Sequence, residues 1–376
     1  MSTAEVARRI TLFFAAAVLL IAALAYIPGG SRTVADTLPA RLSDKEFWTM
    51  VNDFSEAGGY FRSDNFLSNE TLYQHVIPTL RKSLQTGGVY VGVGTEQNFT
   101  YIVALEPKMA FIVDIRRQNM LEHLMYKALM EMSADRSEFL SRLFSRPRPP
   151  SLSANATPDV LVNAYQHVQA DSEVFEKNLT SILEHLEKKR GFELSNEDEA
   201  AVRKVYQAFF DSGPDLSYTF VGGYGSFMGM PTYGELMTEN DGYTRNWNFL
   251  ATDDQYQMVR RLQERNLIVP LVGDFAGPKA LRSIAAYMKQ HDALLTAFYT
   301  SNVEQYLFQD DQNWKNFYEN AGMLPIDSSS TFIRYVLSSW GYGRRSRTLV
   351  SPVADVMRSY DRGRIRGYYD IVDMSR

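Results

Sequence analysis

The fold of this chain is decided by the stretch Val89-Tyr90-Val91-Gly92-Val93-Gly94 and by Asp114, which follows Gly94 after twenty residues. The apolar runs Val89–Gly94 and Met109–Val113 have the length and composition of short buried strands. Between them, Phe99–Leu105 has a helical pattern that ends before a proline. Two strands joined by a helix through short connections are typical of a parallel sheet.

The same alternation continues on both sides of a central interruption. After a helical pattern from Gln118 to Met132, strands are predicted at Leu267–Val272, Ala293–Tyr299 and Thr331–Leu337, with a helix over Pro278–Gln290 between the first two. We therefore predict one α/β domain over residues 42–337, a Rossmann-like three-layer sandwich.

Three further regions lack the alternation of strands and helices. Residues 147–215 are predicted to form a helical insertion, because capped helical patterns follow one another without a strand pattern. Residues 42–87 also have a helical pattern, with Leu67-Ser-Asn-Glu70 read as a helix start. Residues 338–376 form a tail whose part from Gly341 carries eight arginines against four aspartates; without a clear period, it is predicted to be disordered or to lie on an acidic surface.

The N-terminus predicts a membrane or export segment over residues 1–30. Arg8 and Arg9 precede an uninterrupted apolar run, residues 10–27, which as a helix would be about 27 Å long and able to span the hydrocarbon layer and contact membrane lipid. A single-pass anchor with the N-terminus inside and the domain extracytoplasmic is the first expectation. Export followed by signal cleavage is the alternative.

Composition excludes several classes of site. With 39 basic and 44 acidic side chains the net charge is -5, which argues against nucleic acid as a partner. The chain has no cysteine, so disulfides, thiolate metal sites and cysteine nucleophiles are excluded. The five histidines are widely spaced and predict no metal site, and no phosphate-binding Gly-Lys-Ser/Thr loop occurs.

The strand ends carry the candidate ligand-binding residues. Glycines such as Gly92 and Gly94 after a strand let a ligand approach the backbone, and a carboxylate that ends the next strand, here Asp114, can hold two ribose hydroxyls. With Gly273-Asp274 after a later strand, this pattern resembles the class I S-adenosylmethionine-dependent methyltransferases over residues 67–337, apart from the insertion. The resemblance implies that S-adenosylmethionine is bound by Gly92, Gly94, Asp114 and Asp274.

The same resemblance places the substrate beside the strand and loop from Asp292 to Asn302. Ser301, Asn302 and Tyr224 are the candidate substrate-loop residues, and Tyr299 or Glu304 could act as a catalytic base. Each has a structural alternative, since polar residues are common in such loops and Asp114 and Asp274 could cap the helices that follow them.

Departures from the motif leave the ligand open. Tyr90 stands where an acidic residue is expected before the first glycine, and Glu96 occupies the third glycine position of the methyltransferase motif. An NAD(P)-dependent oxidoreductase is an alternative in which Arg116 or Arg117 would meet a 2′-phosphate, but Gln97 replaces the glycine that such a fold needs. Blocks such as Asp114-Ile-Arg-Arg117 also resemble an uncharacterised bacterial protein family without an assigned activity.

Two classes of function follow. The first is a membrane-anchored binding or scaffold protein that keeps a methyltransferase-like domain without transfer chemistry, which the incomplete glycine motif favours. The second is a methyltransferase that acts on a small or lipid-associated acceptor. An extracytoplasmic domain would favour the first class, because the methyl donor is an intracellular compound.

Overall fold

The computed structural model describes residues 36–82, 86–150, 152–153, 155–218, 230–338 and 345–375. Thr37–Arg376 form one compact unit. The predicted membrane or export segment, residues 1–30, lies outside the described residues, as does Tyr224. Within the described residues, no helix combines the length and the apolar character needed to span a bilayer.

A six-stranded sheet forms the centre of this unit. Its strands are β1 (Val89–Gly92), β2 (Met109–Asp114), β3 (Ile268–Val272), β4 (Leu295–Ser301), β5 (Thr331–Ser338) and β6 (Arg345–Pro352). The spatial order is β3-β2-β1-β4-β5-β6, in which all neighbours are parallel except the antiparallel pair β5–β6. The α/β class and the mainly parallel sheet are therefore as predicted.

Helices surround the sheet. They are α1 (Asp44–Phe54), α2 (Ile77–Lys82), α3 (Gln97–Leu105), α4 (Arg117–Met132), α5 (Arg136–Leu143), α6 (Pro158–Gln166), α7 (Ser172–Glu184), α8 (Asn196–Ser212), α9 (Tyr233–Thr238), α10 (Asp253–Glu264), α11 (Ala280–Gln290), α12 (Val303–Leu307), α13 (Asp311–Ala321), α14 (Val353–Asp361) and α15 (Tyr368–Asp373). Every residue of β1, β2 and β3 is buried. Burial of both strand faces is typical of a sheet covered on each side, which explains why these strands read as continuous apolar runs.

The helical insertion is present between β2 and β3. Helices α6, α7 and α8 occupy it, and the described residues from 147 to 215 include no strand. A short π-helix, His185–Lys189, extends α7.

Two predictions for the flanking segments differ from the structure. The arginine-rich tail was expected to be disordered or to lie on an acidic surface, and the first alternative is wrong: β6 pairs antiparallel with β5, with Ile333 opposite Val350, and α14 and α15 follow. The helix predicted to start near Glu70 begins later: a 3₁₀ turn, Tyr73–Val76, leads into α2, and the preceding residues from Ser55 to Leu72 form no helix. That irregular segment reaches the sheet edge at which the site lies.

Candidate functional site

A cavity of about 950 Å³ opens at the carboxyl ends of the parallel strands. The parallel register aligns these ends, pairing Gly92 with Ile112 and Asp114 with Val272. Chain order reverses between β1 and β4, so the loops that follow these two strands run apart and leave a crevice between them. Such a switch point is where open α/β sheets bind ligands.

The structure brings most of the predicted site residues to this cavity. Its wall includes the predicted residues Gly94, Asp114, Asp274, Ser301 and Asn302. These residues come from the ends of four different strands, so it is the parallel register that places them together.

The two glycines of the turn have different surroundings. Gly94 lines the cavity and has a left-handed backbone with φ of 82°, which favours glycine. Gly92 is not part of the cavity wall, and a side chain there would collide with Asn98 and with the Tyr90 ring and hydroxyl. Gly92 therefore serves the packing of β1 on α3.

Buried polar groups hold the glycine turn in shape. The Asn98 amide donates to the carbonyl oxygens of Val93 (2.9 Å) and Thr95 (2.8 Å) and accepts from the Tyr90 hydroxyl (2.9 Å). Burial lowers the pKa of His123 to about 4, so its neutral ring donates from Nε2 to the Gly94 carbonyl over 2.8 Å. Tyr90, which departs from the acidic motif, is thus a structural hydrogen-bond donor.

Asp114 is paired within the protein. Arg116 donates to it from Nε (3.0 Å) and Nη2 (2.9 Å), and also from its backbone nitrogen (2.9 Å). The Arg116 guanidinium continues to the backbone oxygens of Ser63 and Asp64. A carboxylate has about four acceptor positions. Three are in use, so Asp114 can accept one ligand hydrogen bond without rearrangement, and not the two expected from the sequence.

Neither arginine after β2 is available for a 2′-phosphate without losing a partner. Arg116 is buried against Asp114, and Arg117 makes two hydrogen bonds of 2.6 and 2.7 Å to Asp198 of α8. The Arg117 pair joins the insertion to the start of α4.

Asp274 shapes the turn after β3. One oxygen accepts from the Ala276 backbone nitrogen at 2.9 Å, and the Asp274 carbonyl accepts from Gly277. The first helical residue, Ala280, donates its backbone N–H to Glu56 at 2.8 Å. Asp274 lines the cavity but does not cap α11, because Glu56 supplies that acceptor.

The two predicted catalytic residues, Glu304 and Tyr299, are buried away from the cavity and contact other protein groups. Glu304 is 1 % exposed, forms an ion pair of 2.5 Å with the buried Arg334, and does not line the cavity. Tyr299 also lies outside the cavity wall; burial, followed by the charge of Glu70, raises its pKa well above 10. A phenol with such a pKa carries no negative charge near pH 7. The geometry therefore gives neither residue the position of a base.

Glu70 is a site residue that the sequence analysis missed. It is 1 % exposed and lines the cavity; Oε1 accepts from the Ser301 hydroxyl, and Oε2 has no hydrogen-bond partner among the described residues. Burial raises the pKa of Glu70 to about 7, while the hydroxyls of Ser301 and Tyr299 counteract that rise. The position of Glu70 at the site depends on its hydrogen bond with Ser301, which is 231 positions away in the chain, so no local sequence pattern indicates it.

Two further buried acids lie near the glycine turn. Glu96, at the start of α3, accepts from the Ser68 backbone nitrogen with one oxygen, and Glu122 of α4 has no hydrogen-bond partner for either oxygen within the described residues. Burial raises the pKa of both side chains, and the charge of Glu96 further raises the pKa of Glu70 and of Glu122. This end of the sheet therefore disfavours additional negative charge.

Replacing Glu70 should change how stability depends on pH. A carboxyl whose pKa is raised from 4.5 to about 7 by folding stabilises the folded state fully below pH 4.5, and loses that contribution as pH rises to 7. At about 1.4 kcal/mol per pKa unit, the loss is about 3 kcal/mol. The change in the free energy of unfolding caused by Glu70→Gln should depend on pH. We expect this change to be about 2–3 kcal/mol more stabilising at pH 8 than at pH 4. Urea unfolding at both pH values measures this.

The exposed Glu193 provides the control for this measurement. Glu193→Gln should change stability equally at both pH values. An equal effect of Glu70→Gln at pH 4 and pH 8 would contradict the buried, proton-binding state of Glu70.

Aromatic side chains form much of the remaining wall: Tyr60, Phe61, Tyr218, Phe275, Tyr306, Tyr368 and Tyr369. Flat apolar surfaces with a few polar groups are typical of small-molecule sites. Among the described residues, no cluster of histidine and acidic side chains has the arrangement of a metal site.

Comparison with known proteins identifies a family whose function is unknown. Residues 65–351 match a protein family described as a domain of unknown function, DUF7790. The match contains the ends of β1 to β5 and Glu70, and it begins after the predicted membrane segment. No curated protein matches the chain.

Proposed function

The chain belongs to the DUF7790 family, and from its cavity we propose that it binds S-adenosylmethionine and transfers the methyl group to a small acceptor. The observation that carries this proposal is a pair of buried acids at the glycine-turn end of the cavity, whose charged forms a cationic ligand would favour. There Glu70 lies on the cavity wall with an unpartnered oxygen, and Glu96 lies at the start of α3.

The charge of the ligand is the basis of the choice. A dinucleotide places its pyrophosphate at the glycine turn and the following helix start. Glu96 and Glu70 bring no positive charge to bind it, and a pyrophosphate there would disfavour their charged forms still further. S-adenosylmethionine instead brings a sulfonium and an ammonium group, which these acids attract.

The three arginines on the cavity wall do not reverse this preference. Arg116 is paired with Asp114, and Arg62 and Arg347 are exposed, so water and salt screen their charges. With Gln97 on the wall near the turn, where a dinucleotide fold needs glycine, an NAD(P)-dependent oxidoreductase is the weaker alternative.

The proposal also bears on topology. Because the methyl donor is an intracellular compound, this function requires a domain that faces the cytosol. That is the reverse of the orientation expected from the short N-terminus, and it leaves residues 10–27 as the proposed lipid contact.

Calorimetry with S-adenosylmethionine, S-adenosylhomocysteine and NAD⁺ tests the proposal. We expect binding of the first two and none of NAD⁺ at millimolar concentration. Asp114→Asn should weaken S-adenosylhomocysteine binding roughly tenfold or more, since a hydrogen bond to a charged acceptor contributes about 1.5–3 kcal/mol.

The matched control is Asp198→Asn. Asp198 also pairs with an arginine at the start of α4, yet it does not line the cavity. Its replacement should leave the affinity unchanged. No heat with either adenosyl compound would favour the scaffold function, and binding of NAD⁺ alone would favour the oxidoreductase.

A further inference from the structure

We propose that Glu70 is the catalytic base of this site and that the acceptor is a small molecule with a hydroxyl or protonated amine group. The inference rests on the proposed methyl transfer and deepens it, because the presence of a base defines which acceptors the site can use.

The position of Glu70 is the first argument. Its carboxyl group lies on the cavity wall beside the end of β4, where Ser301 donates to Oε1. The Tyr299 hydroxyl is near enough to lower the pKa of Glu70, but within the described residues Oε2 accepts no hydrogen bond of normal geometry. Ser301 has a left-handed backbone with φ of 51°, which is unusual for a residue other than glycine. Such strained conformations cluster at functional sites.

The connections of Glu70 are the second argument. Ser301 is followed by Asn302 on the same wall, and Tyr299 accepts a hydrogen bond of 3.2 Å from Gln97, which also lines the cavity. The carboxyl group is thus bordered by the β4 loop on one side and the glycine turn on the other. A donor bound at the glycine turn and an acceptor at the β4 loop would meet beside it.

The charges around Glu70 are the third argument. The described residues include no ion-pair partner for Glu70, and the nearby acid Glu96 adds to its raised pKa of about 7. Tyrosines make up the other titratable groups that interact with it: Tyr90, Tyr101, Tyr299, Tyr335 and Tyr368. Burial raises the pKa of each tyrosine, so these groups stay neutral between pH 5 and 9, whereas Glu70 changes charge in this range. A base that titrates near neutral pH suits proton transfer.

The transfer step balances without a further reactant. The Glu70 carboxylate takes the acceptor proton. From an ammonium group it does so before the attack, which frees the nitrogen lone pair, and from a hydroxyl it does so as the oxygen attacks. The oxygen or nitrogen bonds to the methyl carbon, the carbon–sulfur bond breaks, and the sulfur keeps the electron pair and leaves as S-adenosylhomocysteine. Glu70 later releases the proton to water.

The test compares two stable ligands, S-adenosylhomocysteine and sinefungin. Sinefungin carries an amine where S-adenosylmethionine carries its sulfonium methyl group, so the amine would face a base opposite the methyl. We expect wild-type protein to bind sinefungin at least tenfold more tightly than S-adenosylhomocysteine at pH 8. In Glu70→Gln that difference should disappear, because sinefungin then loses more affinity than S-adenosylhomocysteine does.

Glu239→Gln is the matched control. Glu239 also has a pKa raised by burial to about 7, but it accepts from the Leu72 backbone and does not line the cavity. Its replacement should leave the preference for sinefungin intact. In wild-type protein the preference should also decline from pH 8 to pH 6 as Glu70 takes up a proton, a measurement that needs no variant to fold.

Each outcome separates the two proposals. If neither compound binds, the proposed function fails and this inference fails with it. If both bind but wild type shows no preference, or the preference survives in Glu70→Gln or stays constant with pH, methyl-donor binding stands and Glu70 is not the base.

Discussion

Arg334→Met should lower the free energy of unfolding by about 3–5 kcal/mol, because it leaves a buried carboxylate without its counter-charge. Arg334 and Glu304 are both 1 % exposed and are joined by hydrogen bonds of 2.5 and 3.2 Å. Glu304 also accepts from Tyr318 at 2.6 Å and Thr300 at 2.9 Å. Urea unfolding at pH 7 measures the loss.

Two comparisons isolate the role of burial. Arg203→Met removes a two-bond pair with Glu176 in which both side chains are at least half exposed, so we expect little loss of stability. Replacing both Arg334 and Glu304 by methionine should recover much of the stability, since no unpaired charge is then buried. A loss below 1 kcal/mol for Arg334→Met alone would contradict the ion pair.

This pair also bears on the interpretation of Glu304. It connects β5 to α12 directly below Ser301 and Asn302, the loop that closes one side of the cavity. A Glu304 variant would disturb this loop even if Glu304 has no chemical role. Any loss of ligand binding in such a variant therefore has to be compared with its loss of stability.

Glu131→Gln should lower the free energy of unfolding at pH 7 by about 3–5 kcal/mol, since it removes the negative charge shared by three buried or half-buried basic groups. Oε2 of Glu131 lies 2.6 Å from His185 and 2.6 Å from Arg190. Oε1 lies 2.7 Å from Lys127 in an ion pair without hydrogen-bond geometry. Arg190 extends the network to Asp44 of α1.

The pH dependence provides the decisive measurement for Glu131. Burial raises its pKa, but the His185 hydrogen bond and the charges of Lys127 and Arg190 outweigh this and hold it at about 2. A lowered pKa stabilises the folded state above pH 4.5, and this contribution is lost as pH falls toward 2. The difference between wild type and Glu131→Gln should therefore shrink from pH 7 to pH 3.

An exposed pair provides the control for Glu131. Glu176 and Arg203 are joined at 2.5 Å with both side chains at least half exposed, and Glu176→Gln should have little effect on stability at either pH. A Glu131→Gln difference that is the same at pH 7 and pH 3 would contradict the lowered pKa.

Much of the candidate site follows from the parallel sheet. A strand that ends in glycine or aspartate contributes those residues to the same edge as its parallel neighbours, so Gly94, Asp114, Asp274 and Ser301 could be grouped without a structure. Gly92 was grouped with them but packs below the cavity. Strand alternation alone does not distinguish a residue on the wall from one beneath it.

The amino-acid sequence by itself determined the class of fold, the helical insertion and the edge of the sheet that holds the cavity, because these depend on periodicities and strand ends within short stretches of chain. Only the tertiary structure decided which acids matter. Glu70 meets Ser301, Glu304 meets Arg334, and the arginine-rich tail pairs as β6 with β5, each across a long sequence separation or through a hairpin. Burial of an acid depends on all the elements packed around it, so its pKa, and with it the proposed base, is a property of the assembled fold.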